Sequence, residues 1–545
     1  MKKIMALGLS ALLVGSAVCA SGCAKKVANG DQDLEVYIVN KGYGYQWCVD
    51  ILEEFKNQAW VKEKYPNLNI TYTYNDNRTF AQSKLSAPKN NTFDLLFGID
   101  GLQGAAAKDG PIVDLTEIVY NQKVPGEDIL FKDKLDSSYM ESCAYYETAK
   151  SPAQYYFIPW AGGMTGICYN KTILDACGVT ELPVTTDEFI EACAKIKANP
   201  TASGNESGYA IIQSSEAGYF NDLFWPLWAQ YDGVEKWKNF YSGLYVDEYG
   251  ATSYSNKIFD DNELGTNGRV EALKFFEGVL DYDKGYLSLD SFRDNFMKSQ
   301  TNLIAGKYAF HVNGDWFDNE MAKTREDMKA SGQAVSDIRM MKIPIISSIK
   351  DVLPDKSVEN DAELRALIKA MDAGATALSG TGYNVTQDDF DRVKEARSVV
   401  YSIGAGHAGV IPTVSTAQGV AVDFLLFMAT DIAFETYAKA TGGSTLPFKY
   451  AFNEQSPLYS ELTPFHQDRL LYFSDGTYDV YTLPDMDNKP MVRYGNLVPL
   501  TNYGAIYSTF SASGNTKTPK DFNDETKANW NDGAFKLAME LAGLA

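Results

Sequence analysis

The strongest constraint on the fold is an alternation of strand-like and helix-like runs near the start of the chain. Residues 34–39 predict a buried strand, and residues 47–59 follow with apolar side chains at helical spacing. Two further strand-like runs cover residues 69–74 and 93–98, with a helix-compatible stretch between them. This order predicts parallel pairing and therefore an α/β fold, in which ligands bind beyond the carboxyl ends of the strands.

The length and charge of the chain narrow its class. With 545 residues, of which 45% are hydrophobic, the chain can form two large lobes or three to four smaller domains. Its 49 Lys and Arg against 71 Asp and Glu give a formal net charge of −22, which repels phosphate backbones, so we expect no nucleic-acid partner. Aromatic residues make up 13% of the chain, a content that suits either a core or a ligand cleft.

The first segment resembles a bacterial lipoprotein signal. A positively charged start and an apolar run precede the small residues 20–22, which lead directly into Cys23. This arrangement predicts a signal peptide at residues 1–22, lipidation of Cys23 and a polar tether at residues 23–33. The mature chain is then anchored on the extracellular face of the bacterial cytoplasmic membrane. An ordinary secretory signal with an incidental cysteine is the alternative.

The residues that usually carry catalysis or metal binding form no known motif. Five cysteines remain in the mature chain besides Cys23, an odd number without CxxC spacing, which indicates buried free thiols. No P-loop, HExxH or G-x-S-x-G sequence occurs, and the three histidines leave little material for a His-based triad. The literal G-x-G-x-x-G at residues 404–409 follows a helix-like stretch, so it does not match a dinucleotide loop. We predict no cofactor and no metal.

Later segments indicate how the chain is organised. Residues 156–170 form a strand-like run with glycines at its centre, which suits a crossing between two lobes. Thr185 and Glu188 fit a capping box at the start of an amphipathic helix. The charged, helix-like stretch at residues 350–400 has the character of an insertion.

Three groups of residues share the spacing of one known protein family. The first is the run Gly166–Lys171 followed by Leu174, Gly178, Pro183 and Asp187–Phe189, the second is Gly306–Trp316, and the third is Gly409–Pro412 with the helix and glycines up to Gly443. Together they resemble the sugar-binding extracellular solute-binding proteins of bacterial ABC importers (family 1), which include maltose-binding protein. Thr186 stands where that family usually has a Trp, a departure that affects packing at the helix start more than binding.

The resemblance implies a two-lobed, periplasmic-binding-protein-like fold, in which each lobe has a mostly parallel sheet flanked by helices and hinge strands cross between the lobes. We predict lobe 1 at residues 34–157 plus about 340–445, including the insertion, and lobe 2 at residues 158–339 plus about 446–545. The resemblance also implies a monomeric, non-catalytic protein that closes around a carbohydrate, such as an oligosaccharide. The partners it implies are the permease subunits of an ABC-type importer.

Aromatic and polar residues near predicted strand ends are the candidate ligand contacts. Trp316 follows Gly-Asp at a strand end, and the resemblance places it in the cleft as a stacking residue. Trp160 and Trp225 are further stacking candidates. Each Trp is also a plausible core residue, and each polar candidate is also a common turn-former. The polar candidates are Asp315, Asp100, Tyr43 and Asn40.

Two other classes of protein stay open at this point. An exported, lipid-anchored glycoside hydrolase needs two carboxyl groups about 5 to 10 Å apart in a cleft, and such a pair requires no local motif. A surface adhesion lipoprotein would show a broad exposed patch instead of a cleft between lobes.

Overall fold

A computed structural model describes residues 31–99, 101–147, 151–215, 218–376, 382–402, 406–450, 458–474, 481–483, 486, 489–493 and 503–544. The predicted signal peptide, Cys23, most of the tether and Asp100 lie outside the described residues. Within these ranges no helix combines the length and apolar character that a membrane crossing requires.

The described strands are β1 (Asp33–Val39), β2 (Asn69–Asn75), β3 (Leu95–Ile99), β4 (Ile158–Pro159), β5 (Met164–Asn170), β6 (Leu244–Val246), β7 (Thr252–Tyr254), β8 (Phe310–Gly314), β9 (Ile338–Met341), β10 (Val399–Ser402), β11 (His407–Val410) and β12 (Tyr481–Leu483).

The described helices in the first half of the chain are α1 (Gln46–Asn57), α2 (Ala59–Lys64), α3 (Phe80–Ser86), α4 (Phe131–Lys134), α5 (Ser137–Cys143), α6 (Lys171–Ala176), α7 (Thr186–Lys197), α8 (Gly218–Asn221), α9 (Phe224–Asp232), α10 (Val234–Ser242) and α11 (Gly268–Leu280). Those in the second half are α12 (Phe296–Ile304), α13 (Phe317–Ala330), α14 (Asp361–Asp372), α15 (Gln387–Ser398), α16 (Gln418–Phe427), α17 (Asp431–Ala440), α18 (Pro464–Ser474), α19 (Pro490–Arg493), α20 (Tyr503–Phe510), α21 (Pro519–Asn529) and α22 (Asp532–Leu541).

The first sheet forms lobe 1 and has the strand order β2-β1-β3-β11-β4. β1 is parallel to β2 and β3, which confirms the pairing predicted from the first three strand-like runs. β11 is antiparallel to its neighbours β3 and β4. Helix α1 covers the sheet because Trp47, Ile51 and Phe55 recur at helical spacing on its buried face.

The second sheet forms lobe 2 and is mixed, with the order β12-β10-β5-β8 and with β9 also paired to β5. β5 is antiparallel to β8, β9 and β10, and of the described pairs in this sheet only β10–β12 is parallel. The expectation of a mostly parallel sheet is therefore wrong for lobe 2. β5 enters lobe 2 from the crossing and β10 leads back toward β11 in lobe 1, so these two strands run in opposite directions.

After β4 the chain leaves the first sheet, and with β5 it joins the second sheet, which confirms the crossing predicted for residues 156–170. It returns between β10 and β11, and it leaves lobe 1 again between Phe448 and Phe465, since these two side chains belong to different cores. The described residues between 341 and 399 pack with lobe 2, where the insertion forms α14 and α15. The sequence predicts that lobe 1 resumes near residue 340, whereas in the structure His407 is the first residue after this stretch that pairs in the lobe 1 sheet.

Several local predictions are confirmed by the structure. Thr185 and Glu188 form the capping box at the start of α7. The five described cysteines are buried and free. Gly409, the last residue of the literal G-x-G-x-x-G, lies in the centre of β11, where an added Cβ would lie 2.6 Å from the Phe97 ring. This glycine therefore allows close packing inside the first sheet and is not part of a phosphate-binding loop.

Candidate functional site

The end of β8 and the start of α13 in lobe 2 contact the loop that follows β1 in lobe 1. The Tyr43 hydroxyl donates a hydrogen bond of 2.7 Å to Asp315 Oδ1, and both side chains are buried. Asn319 Nδ2 donates a hydrogen bond of 2.6 Å to the Gly42 carbonyl oxygen. The structure therefore brings two of the predicted site residues, Tyr43 and Asp315, into direct contact across the lobe boundary.

The second carboxylate oxygen of Asp315 faces a buried cation. Arg469 Nη2, from α18, lies 3.1 Å from Asp315 Oδ2 and donates a hydrogen bond of 2.8 Å to Thr445 Oγ1. The Thr445 carbonyl oxygen accepts a hydrogen bond from the Gly162 amide, which lies in the crossing between β4 and β5. Burial raises the pKa of Asp315, while the charge of Arg469 and the Tyr43 hydroxyl oppose this shift. The ion pair thus ties two of the crossing segments to lobe 2.

Two glycines leave room for this contact. A Cβ added to Gly163 would overlap the Tyr43 hydroxyl, and one added to Gly314 would overlap the Trp316 ring. Neither glycine has a positive φ. These positions therefore require glycine because a side chain would not fit, and not because of unusual backbone geometry.

Trp316 lies beside this network as the residue that precedes α13. Its side chain is 3% exposed, and its ring centroid lies 6.3 Å from that of Tyr43 and 5.6 Å from that of Tyr219. Although Trp316 belongs to lobe 2 by sequence, it packs with the core of lobe 1. The structure therefore places the predicted stacking residue at the lobe boundary, covered by the Tyr43 loop.

Opposite charges also attract each other across the lobe boundary at Glu320 on α13. Glu320 accepts a hydrogen bond of 3.0 Å from Gln300 Nε2 within lobe 2. Burial raises the pKa of the Glu320 carboxyl, and the positive charges of Arg78 and Lys41 in lobe 1 oppose that shift. Lobe 1 therefore presents cations to a lobe 2 carboxylate next to the Asn319 contact.

Trp160, which the sequence offers as a further stacking candidate, packs in the core of lobe 1. It is fully buried and stacks on Trp47 with ring centroids 4.7 Å apart. Its Nε1 donates a hydrogen bond of 3.1 Å to the Gly98 carbonyl oxygen. With its ring packed and its only donor satisfied inside the lobe, Trp160 offers no surface to a ligand in this structure.

Asn40 has a partner within lobe 1. Its Nδ2 donates a hydrogen bond of 2.8 Å to Asp76 Oδ1, and its backbone amide donates to the Asn75 carbonyl oxygen. Asn40 therefore joins the loops after β1 and β2, which matches the alternative role of a loop-forming residue.

The aromatic run at the start of α8 and α9 presents a half-buried face that the sequence prediction captured only in part. Trp225 is half-buried and stacks on Tyr401 with ring centroids 4.8 Å apart. Tyr219 and Asp222 are also half-buried, while the intervening Phe220, Leu223 and Phe224 are fully buried. Burial raises the pKa of Asp222 well above its ordinary value, with the Thr165 hydroxyl opposing the shift.

Tyr219, Asp222 and Tyr401 are the candidate site residues that the prediction missed. The spacing of three residues from Tyr219 to Asp222 to Trp225 is the available signal, because in a continuous helix it would place these side chains on one face. In the structure Tyr219 lies on α8 and Trp225 on α9, with Asp222 in the turn between them. Tyr401 carries no such signal, since its stacking partner lies far away in the sequence. Among the described residues no group of three or more His, Cys, Asp and Glu side chains could hold a metal ion.

His311 lies inside β8, where its side chain is fully buried and burial favours the neutral form of the imidazole. Its Nδ1 lies 2.8 Å from the Ile212 carbonyl oxygen, and its Nε2 lies 3.2 Å from Asn313 Nδ2. Burial lowers the pKa of His311 from 6.5 to about 4, although the Ile212 carbonyl opposes the shift. Between these two pH values the unfolded chain binds a proton at this histidine and the folded chain does not.

The free energy of unfolding should therefore fall as the pH falls from about 6.5 to about 4, with His311 contributing about 3 kcal/mol of this loss. Urea unfolding of the wild type and of His311→Gln at several pH values measures this contribution. We expect the variant to lose less stability than the wild type over this window. The same pH dependence in both proteins would contradict a buried neutral histidine.

The two mixed sheets, the flanking helices and the contact between lobes define a two-lobed binding-protein fold. A family model for bacterial extracellular solute-binding proteins matches residues 49–431, and the chain belongs to this family. The family predicted from the sequence is therefore confirmed, and it is a family of binding proteins rather than enzymes.

Individual relatives are more distant. The chain is 26% identical over 195 residues to the diacetylchitobiose-binding protein DasA of Streptomyces coelicolor, a match that covers 34% of this chain and 41% of that protein. The chain thus spans about two fifths of this relative's length. Among solved structures, a chitin oligosaccharide binding protein has a TM-score of 0.54 and 14% identity, with 94% of this chain and 99% of that one covered. A probable secreted solute-binding lipoprotein from Streptomyces coelicolor has a TM-score of 0.54 and 14% identity, with coverages of 92% and 99%.

Proposed function

We propose that this protein is a lipid-anchored receptor that binds a neutral carbohydrate, most simply an oligosaccharide, and delivers it to an ABC-type importer. The observation that carries this proposal is the collection of aromatic and hydrogen-bonding side chains at and beside the lobe boundary. Trp316 and Tyr43 meet there from opposite lobes, and Tyr219 extends the aromatic surface toward Asp222 and Trp225.

The chemistry of these side chains suits a sugar. A sugar ring has apolar C–H faces that pack on aromatic rings, and hydroxyl groups that both donate and accept hydrogen bonds. Trp316 and Trp225 can supply the flat surfaces, and Asp222 and Tyr219 can supply the polar partners. Burial raises the pKa of Asp222 and so favours its protonated form, which can both donate and accept a hydrogen bond with a sugar hydroxyl. The formal net charge of −22 disfavours a strongly anionic ligand, which favours a neutral sugar.

The names of two similar proteins support the same substrate class. DasA of Streptomyces coelicolor is a diacetylchitobiose-binding protein, and one of the similar solved structures is a chitin oligosaccharide binding protein. Both ligands are short chains of sugar rings, the kind of ligand that a row of aromatic side chains can contact ring by ring.

The proposed mechanism is closure of the two lobes about their crossing segments. Ligand bound between the lobes would stabilise the closed arrangement, which the permease subunits would then recognise. The lipidated Cys23, followed by a polar tether that ends where β1 begins at Asp33, would hold the protein at the extracellular face of the membrane. The protein would act as a monomer.

A thermal-shift screen of the mature protein against neutral mono- and oligosaccharides tests the proposal. A ligand at a hundred times its dissociation constant adds about 2.7 kcal/mol to stability, enough for a clear rise in the unfolding temperature. Chitin-derived oligosaccharides and unrelated oligosaccharides of equal length form the two arms of the screen. We expect at least one neutral oligosaccharide to raise the unfolding temperature.

Product analysis of the same mixtures separates binding from hydrolysis. We expect the stabilising sugar to be recovered intact after incubation with the protein. Cleavage of the sugar at enzymatic rates would show that the protein is a glycoside hydrolase and not a receptor. A screen in which no sugar stabilises the protein would contradict the proposal of a carbohydrate ligand.

A further inference from the structure

We infer that Gln213 and Gln300 bind one neutral polar substituent of the sugar beside Trp316, and that this pair decides which sugars the protein accepts. The inference rests on the proposed function, since it requires a carbohydrate at the lobe boundary. The substituent must carry one hydrogen-bond donor and one acceptor. A ring hydroxyl and an acetamido group both have this chemistry.

Gln213 lies at the same edge of the lobe 2 sheet as Trp316. The short extended segment before Gln213 runs parallel to β8, and the Ile212 amide donates a hydrogen bond of 3.1 Å to the Phe310 carbonyl oxygen. Gln213 therefore follows its segment at the end where Trp316 follows β8. The carboxyl ends of parallel strands form the edge at which α/β proteins bind ligands.

Gln300 approaches the same edge from α12. Its Nε2 donates a hydrogen bond of 3.0 Å to Glu320 Oε2, and the Glu320 amide donates one of 3.0 Å to the Trp316 carbonyl oxygen at the start of α13. The neighbouring Ser299 Oγ donates a hydrogen bond of 2.6 Å to the Gln213 carbonyl oxygen. These contacts fix α12 against both the Gln213 segment and the helix that Trp316 precedes.

Each of the two glutamines has one amide atom that the protein does not satisfy. Gln213 is 1% exposed and Gln300 is fully buried, yet neither Gln213 Nε2 nor Gln300 Oε1 has a hydrogen-bond partner among the described residues. Buried polar atoms in folded proteins almost always have a partner, and one without a partner costs stability. A ligand group with one acceptor and one donor would satisfy both atoms.

The charges around the pair favour a neutral group. The Glu320 carboxylate accepts its hydrogen bond from Nε2 of Gln300, which leaves Oε1 of that residue as the acceptor for the sugar. The positive charges of Arg78 and Lys41 already oppose the rise that burial causes in the pKa of Glu320. A cationic substituent would meet these two cations and an anionic one would meet the Glu320 carboxylate, whereas a hydroxyl or acetamido group adds no charge.

Gln213→Met separates a ligand contact from a structural role. Methionine has nearly the volume of glutamine but no amide, and the backbone hydrogen bonds of residue 213 with Ser291 and Ser299 do not depend on the side chain. The substitution removes a buried donor that has no partner, so without sugar we expect an unfolding temperature equal to or above that of the wild type. The affinity for sugar should fall at least about fivefold, the value of one neutral hydrogen bond.

Gln230→Met is the matched control. Gln230 is also 1% exposed and belongs to lobe 2, but its Oε1 accepts a hydrogen bond of 2.9 Å from the Ile346 amide. The same substitution there leaves a buried backbone donor without its partner. We therefore expect Gln230→Met to have a lower unfolding temperature and an unchanged affinity for sugar.

Gln300→Met is the second variant at the site. It removes the acceptor Oε1 and should weaken the binding of sugar as Gln213→Met does. Its unfolding temperature should fall, unlike that of Gln213→Met, because Glu320 loses the donor that Gln300 supplies.

The experiment measures affinities by isothermal titration calorimetry and unfolding temperatures by circular dichroism for the wild type and the three variants. Diacetylchitobiose and cellobiose are the probes, because they share ring and linkage and differ in whether carbon 2 carries an acetamido group or a hydroxyl. Any other sugar that the thermal-shift screen identifies is measured as well. A pair that binds the acetamido group makes Gln213→Met lose affinity for diacetylchitobiose alone, whereas a pair that binds another ring hydroxyl makes both affinities fall alike.

Two results would overturn the inference. One is a sugar that binds the wild type, Gln213→Met and Gln300→Met with equal affinity, which leaves the carbohydrate proposal intact and removes only the role of the two glutamines. The other is a Gln213→Met protein that loses as much stability as Gln230→Met, which would make Gln213 a structural residue. A wild type that no sugar stabilises contradicts the carbohydrate proposal itself, and this inference fails with it.

Discussion

Trp316→Ala should weaken the binding of the stabilising oligosaccharide at least tenfold and leave the protein folded. A tenfold loss corresponds to about 1.4 kcal/mol, which is within the range for one aromatic ring packed on a ligand. The fold should survive because each lobe has a large core of its own, and Trp316 lies at the boundary between the two. Isothermal titration calorimetry gives the affinity, and circular dichroism verifies the fold.

Trp60→Ala is the matched control for this loss. Trp60 is a half-buried tryptophan on α2 of lobe 1, where its ring packs against Phe55 with centroids 5.7 Å apart. The Trp60→Ala substitution removes a ring of the same size. Its position lies outside both the lobe boundary and the run from Tyr219 to Trp225. We expect its affinity for the sugar to equal that of the wild type. An unchanged affinity in Trp316→Ala would remove Trp316 from the proposed site.

The parts of the fold that the sequence predicts well are those decided by neighbours along the chain. The strand-like runs of β1, β2 and β3 alternate with helical periodicity, and this local pattern is enough to predict their parallel pairing. The Thr185–Glu188 capping box is likewise a contact between residues three positions apart. Such features require no knowledge of distant segments.

Strand direction in lobe 2 is decided by distant segments, so it could not be predicted in the same way. A buried strand has the same apolar character whether its neighbour is parallel or antiparallel. β9 pairs with β5 after a long intervening stretch, and this pairing keeps residues 341–399 in lobe 2. The sequence alone therefore does not show that this stretch stays with lobe 2, whereas the crossing at residues 156–170 is predicted from its own glycines.

The candidate site also contains residues whose surroundings follow from the local sequence and residues whose surroundings are decided by distant segments. Trp316 was predicted from a local Gly-Asp-Trp sequence at a strand end, and it does lie at the lobe boundary. Trp160 has an equally suggestive local sequence, but its surroundings are decided by Trp47, which is distant in the chain and stacks on it. Arg469, the partner of Asp315, lies outside residues 49–431 that match the family model, and no sequence pattern connects these two residues.

The buried ion pair between Asp315 and Arg469 should give the largest stability effect of any single substitution at the site. Asp315 is fully buried and the Arg469 side chain is 1% exposed. Removal of Arg469 leaves the buried Asp315 carboxylate without this counter-charge, which costs about 3 to 5 kcal/mol, whereas removal of both partners costs much less. We therefore expect Arg469→Met to lower the free energy of unfolding by this amount, and Asp315→Asn to lower it as well.

The double variant Asp315→Asn with Arg469→Met should recover most of that loss, because neither buried charge then remains. Urea unfolding of the wild type, the two single variants and the double variant gives the coupling energy directly. Lys171→Met is the surface control, since Lys171 and Asp175 form an ion pair at 2.6 Å with both side chains at least half exposed, and such pairs are worth about 1 kcal/mol or less. If the double variant loses as much free energy of unfolding as the two single variants together, Asp315 and Arg469 act independently. In that case this ion pair does not hold Asp315 in place for Tyr43.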